Sequence, residues 1–327
     1  MKILIFISWP VKAWSIPDAQ VEVLRERFPD IDFLHARTLD EARELVPQAD
    51  AAFTPFMTAA MIESAAGLKW VHSPAAAVEG LLPLAALGER GITISNSRGI
   101  QAVPMAESVM GGLLVLARKY DRTLAAQRDR CWIQNDLFDD MPWMLDGRRM
   151  TIVGLGSIGI EIAKRAHAFG MTVTGVRRNP DKPAPSCVDR VLGSDRLDAA
   201  LDDCDVLVLA APGVAATVGM IGPHQLARLN PGAVVVNVAR AALVDQPALI
   251  EGLESGRLGG AVLDVFDKEP LDPSSPFWSM RNVVVTPHSS GFRSTHWRDV
   301  IALYVDNLER YRAGQPLRHL VDAAEGY

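Results

Sequence analysis

Along the 327-residue chain, short β-rich apolar runs alternate with longer amphipathic stretches. The runs are "ILIFIS", "DAAF", "LKWVHS", "ITIS", "TIVGLG", "TVTGV", "DVLVLA", "AVVVNV", "AVLDV" and "NVVVTP". Their apolar character is continuous rather than alternating, which predicts strands covered on both faces. Parallel sheets with helices packed outside satisfy that pattern, so the expected fold class is α/β.

Residues 101–130 read as one long helix, apolar along "VMGGLLVLA" and then charged along "RKYDRTLAAQRDR". A polar loop with Trp132 and Trp143 follows. Near the end, "VIALYVDNLERYRAGQ" has helical spacing and stops at Gly314. Its apolar face is expected to return and cover the first segment. The expected domains are therefore 1–98 joined with 291–327, and an inserted domain at 99–290 that includes the long helix. The opening run "MKILIFISWP" is short and lacks a small-residue cleavage site, so it reads as a buried first strand rather than a signal peptide. "VMGGLLVLA" is too short to span a bilayer.

Composition narrows the class without naming a chemistry. Hydrophobic residues make up 49% and charged residues 22%, as in a soluble globular enzyme. A formal charge of −6 gives no general attraction to nucleic acid or to an anionic membrane, and neither is an expected partner. Cys131, Cys187 and Cys204 have no paired or metal-ligand spacing. They read as reduced thiols of a cytoplasmic protein, and no metal is expected.

The strongest local motif is "MTIVGLGSIGIEIAKRAHAFG": a strand, then Gly154-x-Gly156-x-x-Gly159, then an amphipathic helix and another strand. Alone, three glycines are weak evidence. In this strand-to-helix register they predict a dinucleotide-binding Rossmann unit. Gly154 permits the tight turn, Gly156 lets the backbone approach a pyrophosphate, and Gly159 lets the helix pack close to the strand. The amides near Ser157 and Ile158 point at the diphosphate. A ligand-free βα turn is the bland alternative.

At the end of the next strand, about twenty residues on, an acid usually accepts the ribose 2′-hydroxyl. Arg177 stands there, beside Arg178. A guanidinium cannot accept from a hydroxyl, but it can form paired bonds to a 2′-phosphate. The expected cofactor is therefore NADP(H), with NAD(H) second. The bland alternative is a solvated basic turn.

Three later segments place polar groups beside apolar strands. "VVVNVARAALVD" puts Arg240 past a strand end, "AVLDVFDKEP" puts Asp264 and Glu269 there, and "NVVVTPHSSG" puts His288 there. Ligands of open parallel sheets bind at such carboxyl ends. Reducing a 2-keto acid needs a cation for the carboxylate and carbonyl, a proton donor, and an acceptor that tunes the donor. Arg240, His288 and Glu269 supply those types. Each also has a bland reading as a surface charge, a turn cap or a loop acid, and sequence does not show that the three meet.

Taken together, these residues resemble the D-isomer-specific 2-hydroxyacid dehydrogenases, which include glyoxylate/hydroxypyruvate reductases and D-3-phosphoglycerate dehydrogenase. The resemblance covers nearly the whole chain. It is densest in "LDGRRMTIVGLGSIGIEIAKRAHAFGM", "NVARAALVDQPALIEGLESGRLGGAVLDVFDKEPL" and "NVVVTPHSSG". It implies two Rossmann-like domains, with Arg240, Glu269 and His288 catalytic and His288 the general acid in reduction. It implies that Asp264 holds the nicotinamide carboxamide and that Pro212, Thr217, Ala239 and Ser290 line the cofactor. "HSPAAAVEGL" looks like the substrate loop, so amides around Ala77 and Val78 are expected to hold the carboxylate, together with Arg240 and His288. "SNSRGIQAVPMAESVMGGLLVLARK" looks like the interdomain and dimer-forming helix, which implies a homodimer.

This chain departs from the family pattern at the ribose position, where the acid is missing, and in its alanine-rich substrate loop with Pro74. No regulatory domain is expected after Tyr327, unlike in the longer phosphoglycerate dehydrogenases. The expected function is NADPH-dependent reduction of small 2-keto acids, glyoxylate and hydroxypyruvate, to glycolate and D-glycerate. The alternatives are a non-catalytic NADP(H)-sensing regulator of the corepressor type, or a methyltransferase on the same scaffold. Loop residues near 9–14 and 73–80, with Trp9, Trp14 and Trp297, are the candidates for reading the substrate side chain.

Overall fold

The computed structural model describes residues 1–78 and 80–324; Glu79 of the expected substrate loop and residues 325–327 lie outside the described residues. Contacts divide the chain into two units, Met1–Ile100 with Arg293–Tyr327, and Gln101–Phe292.

The first unit holds a five-stranded sheet of β1 (Lys2–Phe6), β2 (Asp32–Ala36), β3 (Ala51–Phe53), β4 (Trp70–Ser73) and β5 (Thr93–Asn96), in the order β2-β1-β3-β4-β5. Every neighbouring pair is parallel. The helix His296–Arg312 buries Val300, Ile301, Tyr304 and Leu308 in one cluster with Ile3 and Ile5 of β1. Tyr304 stacks on Phe53 with ring centroids 3.9 Å apart. The apolar stripe of that helix thus closes one face of the sheet.

The second unit holds a seven-stranded sheet: β6 (Arg149–Val153), β7 (Thr172–Arg177), β8 (Arg190–Gly193), β9 (Val206–Leu209), β10 (Ala233–Asn237), β11 (Leu258–Leu263) and β12 (Val283–Val285). The order is β12-β11-β10-β9-β6-β7-β8, and again every pair is parallel. Central strands β9 and β10 are buried along their whole length, as the unbroken runs "VLVL" and "AVVVN" require. The α/β class and its two parallel sheets match the sequence expectation. Two strands, β2 and β8, lie outside the apolar runs. Both are sheet edges with exposed positions, so their sequences need no continuous apolar character.

The single long helix expected over 101–130 is a correction. Two helices stand there, Ala102–Ala117 and Tyr120–Asp129, broken at Lys119, whose φ is 55°. The apolar stripe ends at Ala117, and Trp143 donates its amide to the Ala117 carbonyl at 2.9 Å. Lys119 turns out to pair with Asp140 at 2.8 Å. A returning loop has taken over the bonds that would have continued the helix. Among the described residues, no helix is long and apolar enough to cross a membrane.

One buried polar chain ties β4 to β5. Trp70 Nε1 donates to Ser95 Oγ at 2.9 Å, and His72 Nδ1 lies 2.8 Å from that same oxygen. His72 Nε2 lies 3.2 Å from Ser97 Oγ, which donates onward to the Ser73 carbonyl at 3.1 Å. Ser97 therefore accepts from His72, leaving Nδ1 to accept from Ser95, so the neutral Nε2–H tautomer satisfies every group. Burial, with a smaller contribution from His319, pushes the His72 imidazole from 6.5 down to about 3. The unfolded chain then takes up the proton first, so this stability is complete above 6.5 and is lost as pH falls toward 3. Wild type should lose about 1.4 kcal/mol per pH unit relative to His72→Gln below pH ~6, measured by urea unfolding. Parallel stability curves for the two proteins would contradict this.

Candidate active site

Strand order in the second unit reverses at β6. The chain runs outward through β7 and β8, then returns to place β9 on the other side of β6. That reversal opens a crevice at the carboxyl ends of β6 and β9. Gly154 sits at its base with φ 106°, and a Cβ there would lie 2.6 Å from the Ala210 carbonyl. Gly159, in the first turn of the helix Ser157–Ala168, is closer still: its Cβ would meet the Gly154 oxygen at 1.9 Å. Gly156 faces open space, with nothing within 4 Å of a Cβ. No side chain caps that helix, so its first amides remain available. A bare backbone surface at an uncapped helix N-terminus fits a pyrophosphate.

Arg177 ends β7 and Arg178 follows, exposed. Arg177 Nη2 donates to the carbonyls of Pro180 (3.3 Å) and Pro183 (3.4 Å), and to that of Lys182. Arg177 thus shapes the 180–183 loop, a duty not visible in its sequence position. The loop after β9 is closed by Thr217, whose hydroxyl donates to the Pro212 carbonyl at 2.6 Å.

The exits of β10, β11 and β12 adjoin in sheet order. At the end of β10, the buried Asn237 braces the turn: its Oδ1 accepts from the Ala239 amide at 3.1 Å and its Nδ2 donates to the Arg240 carbonyl at 2.9 Å. Arg240 Nη1 donates to the Ala239 carbonyl at 2.7 Å. Among the described residues no carboxylate pairs with Arg240, so its charge is left for an external anion. Gly213 makes room for it, since a Cβ there would lie 2.7 Å from Arg240 Cγ. Asn237 and Gly213 were not among the sequence candidates; a polar residue closing the run "VVVN" was the one available signal.

After β12, His288 adopts φ 51° and its Nδ1 lies 2.7 Å from Glu269 Oε2. Glu269 is itself fixed, because Oε1 accepts from the Phe266 amide at 3.0 Å. With Nδ1–H turned to the carboxylate, Nε2 is the nitrogen that faces away. The structure therefore brings His288 and Glu269 into contact, while Arg240 bonds to neither. Asp264 and Ser290 are both buried.

Ala77 and Val78 lie in the first unit, after β4. There Asn96 Nδ2 donates to the Ala76 carbonyl at 2.6 Å and the Ser97 amide to the Ala75 carbonyl at 3.2 Å. In the same unit Trp297 Nε1 donates to the Ala13 carbonyl at 3.1 Å, and Trp14 meets His296 edge-on at 5.8 Å. Trp9 is exposed.

Residues 110–290 match the model of the D-isomer specific 2-hydroxyacid dehydrogenase NAD-binding domain. Glyoxylate/hydroxypyruvate reductase B of Yersinia enterocolitica is 33% identical over 229 residues, 68% of each chain. D-3-phosphoglycerate dehydrogenase of Archaeoglobus fulgidus is 27% identical over 313 residues, 95% of this chain; the chain spans 58% of that protein's length. The structure of an NADPH-dependent glyoxylate/hydroxypyruvate reductase from Sinorhizobium meliloti, in complex with NADP and sulfate, matches with a TM-score of 0.81 at 26% identity, covering 100% of both chains.

The glycine geometry separates folding from binding. Gly159→Ala should cost about 1–3 kcal/mol of stability through overpacking. Gly156→Ala should change stability by less than ~0.5 kcal/mol. It should nonetheless weaken NADPH at least ~10-fold by standing where the pyrophosphate approaches. Urea unfolding with fluorescence titration of NADPH checks both, and unchanged NADPH affinity in Gly156→Ala would contradict the cradle.

Proposed function

The chain belongs to the D-isomer specific 2-hydroxyacid dehydrogenases, NAD(P)-dependent oxidoreductases, and from that premise we propose that it reduces small 2-keto acids with NADPH. Glyoxylate and hydroxypyruvate are the proposed substrates, giving glycolate and D-glycerate. The observation that supports this most is the His288–Glu269 contact at 2.7 Å on the sheet edge that also presents the uncompensated Arg240.

When bound, the cofactor supplies the hydride for the keto carbon. Every other part of the chemistry falls to side chains. Glu269 accepts from His288 Nδ1–H and so orients the ring, and Nε2 delivers the proton to the carbonyl oxygen. Arg240, a permanent cation with a planar fork, binds the keto acid and polarises its carbonyl. In this reading Gly154, Gly156, Ser157, Ile158 and Gly159 hold the pyrophosphate, and Pro212, Thr217 and Ala239 flank the cofactor. Arg177 and Arg178 read the 2′-phosphate, and Arg177 also shapes the loop beside it. NADP bound to the Sinorhizobium meliloti reductase supports this cofactor reading.

We also propose a homodimer. The segment from Tyr120 to Met144 exposes Tyr120, Leu124, Trp132, Phe138, Met141 and Met144, a concentration of large apolar side chains that a second copy would cover. Sedimentation equilibrium should give twice 35.5 kDa for wild type and 35.5 kDa for a Trp132→Asp, Met141→Asp variant. A monomeric wild type would end the dimer proposal.

Steady-state kinetics with glyoxylate and hydroxypyruvate test the chemistry. His288→Ala should lower kcat about 10²–10⁴-fold. Arg240→Ala should lower kcat and raise KM for the keto acid. Arg178→Ala should reduce the NADPH-to-NADH ratio of kcat/KM about 10–100-fold, the worth of a charged hydrogen bond. Wild-type turnover in His288→Ala, or an NADH preference in wild type, would overturn the corresponding assignment.

A further inference from the structure

In the first unit, His72, Ser73, Ser95, Asn96 and Ser97 are all buried where β4 and β5 end. Polar groups removed from water are costly unless they are bonded, so their partners show what they serve. His72 and Ser95 belong to the chain described above. The other three hold the loop that follows β4. Ser73 Oγ accepts from the Ala75 amide at 3.2 Å, the Ser97 amide donates to the Ala75 carbonyl at 3.2 Å, and Asn96 Nδ2 donates to the Ala76 carbonyl at 2.6 Å.

Asn96 is itself fixed. Its Oδ1 accepts from the Arg98 amide at 3.2 Å, and its own amide donates to the His319 carbonyl at 3.1 Å. The parallel pairing of β4 with β5 sets Asn96 opposite Ser73, so one short side chain reaches Ala76.

Across a trans peptide, the carbonyl and the N–H of the next residue point in opposite directions. The Ala75 carbonyl, held by Ser97, therefore turns the Ala76 N–H away from β5. The Ala76 carbonyl, held by Asn96, does the same to the Ala77 N–H. In a straight strand successive amides alternate in direction; the chain is bent over 74–76, which lets both point to one side. Among the described residues neither amide has a hydrogen-bond partner, and Ala75, Ala76 and Ala77 are part-exposed. Successive free amides aimed the same way suit an anion.

We infer that Asn96 is a positioning residue for keto-acid binding. By holding the Ala76 carbonyl inward, it presents the Ala77 N–H, beside that of Ala76, to the substrate carboxylate. Ser73 steadies the start of the same bend. The inference rests on the keto-acid reading above and adds to it a residue that itself touches no ligand.

Substrate charge provides the test. Glyoxylate and glyoxylamide present the same aldehyde, one beside a carboxylate and the other beside a neutral amide. Asn96→Ala releases the peptide between Ala76 and Ala77. For glyoxylate kcat/KM should then fall about 10–100-fold, the worth of a hydrogen bond to a charged group, with most of the change in KM. The values for glyoxylamide and the KM for NADPH should change less than ~3-fold. Ser73→Ala should shift the selectivity in the same direction, and it decides the matter if Asn96→Ala does not fold. Equal losses for both substrates, the mark of a merely structural role, would overturn the inference, as would unchanged selectivity in both variants. NMR of protein labelled at its alanine nitrogens separates the anchor from the reaction. Oxamate, a keto-acid mimic, titrated into the NADPH complex should move the Ala76 and Ala77 amide signals in wild type but not in Asn96→Ala. If those signals move in a wild type that reduces no keto acid, the anchor stands and the proposed function fails. Turnover of glyoxylate with both signals unmoved would do the reverse.

Discussion

The strands of the second unit all point the same way, and the rest of its structure depends on that constraint. Parallel strands cannot be joined by tight hairpins, so each must exit at the same edge and return through a helix or long loop. Five exits carry the groups of the proposed site: β6 ends in the glycine turn, β7 in the arginines, β10 in Arg240, β11 in Asp264 and Glu269, and β12 in His288. Those groups gather at one edge because the backbone direction brings the exits there.

Local devices then set each group to its task. The turn at Gly154 and the helix at Gly159 approach so closely that neither tolerates a side chain, whereas Gly156 faces open space. The first two serve the fold; in the proposed reading the third serves the ligand. A similar division holds among the carboxylates. Glu269 uses one oxygen to fix itself and the other to orient His288, while Asp264 spends both on the backbone and hydroxyls of the next loop. Arg240 differs in the opposite sense, as a cation that no carboxylate among the described residues pairs with.

Much of this was legible in the sequence because central parallel strands must be apolar on both faces. The runs at β6, β9, β10 and β11 are unbroken for that reason, and the glycine spacing falls directly after the first of them. Edge strands β2 and β8 escaped notice because one side of each faces solvent, so polar residues interrupt the run. The break at Lys119 was hidden because its cause is non-local: Trp143 and Asp140 arrive from more than twenty residues away to take over the helix end. The ties of Arg177 to the 180–183 carbonyls, and of Asp264 to Thr286 and Ser290, are set by side-chain reach across loops. Residue type and spacing record the presence of such groups but not which partner they choose. Arg240, Glu269 and His288 were named from the chemistry a keto-acid reduction needs, and only coordinates placed Glu269 against His288.

The central claim is that this edge supports hydride delivery to a keto carbon, with the proton coming from His288. Reducing glyoxylate with NADPH dideuterated at C4 of the nicotinamide tests it most directly. Mass spectrometry of the glycolate should show one deuterium bound to carbon, retained after exchange into ordinary water. Unlabelled glycolate, or NADPH left unconsumed across a range of keto acids, would contradict the claim.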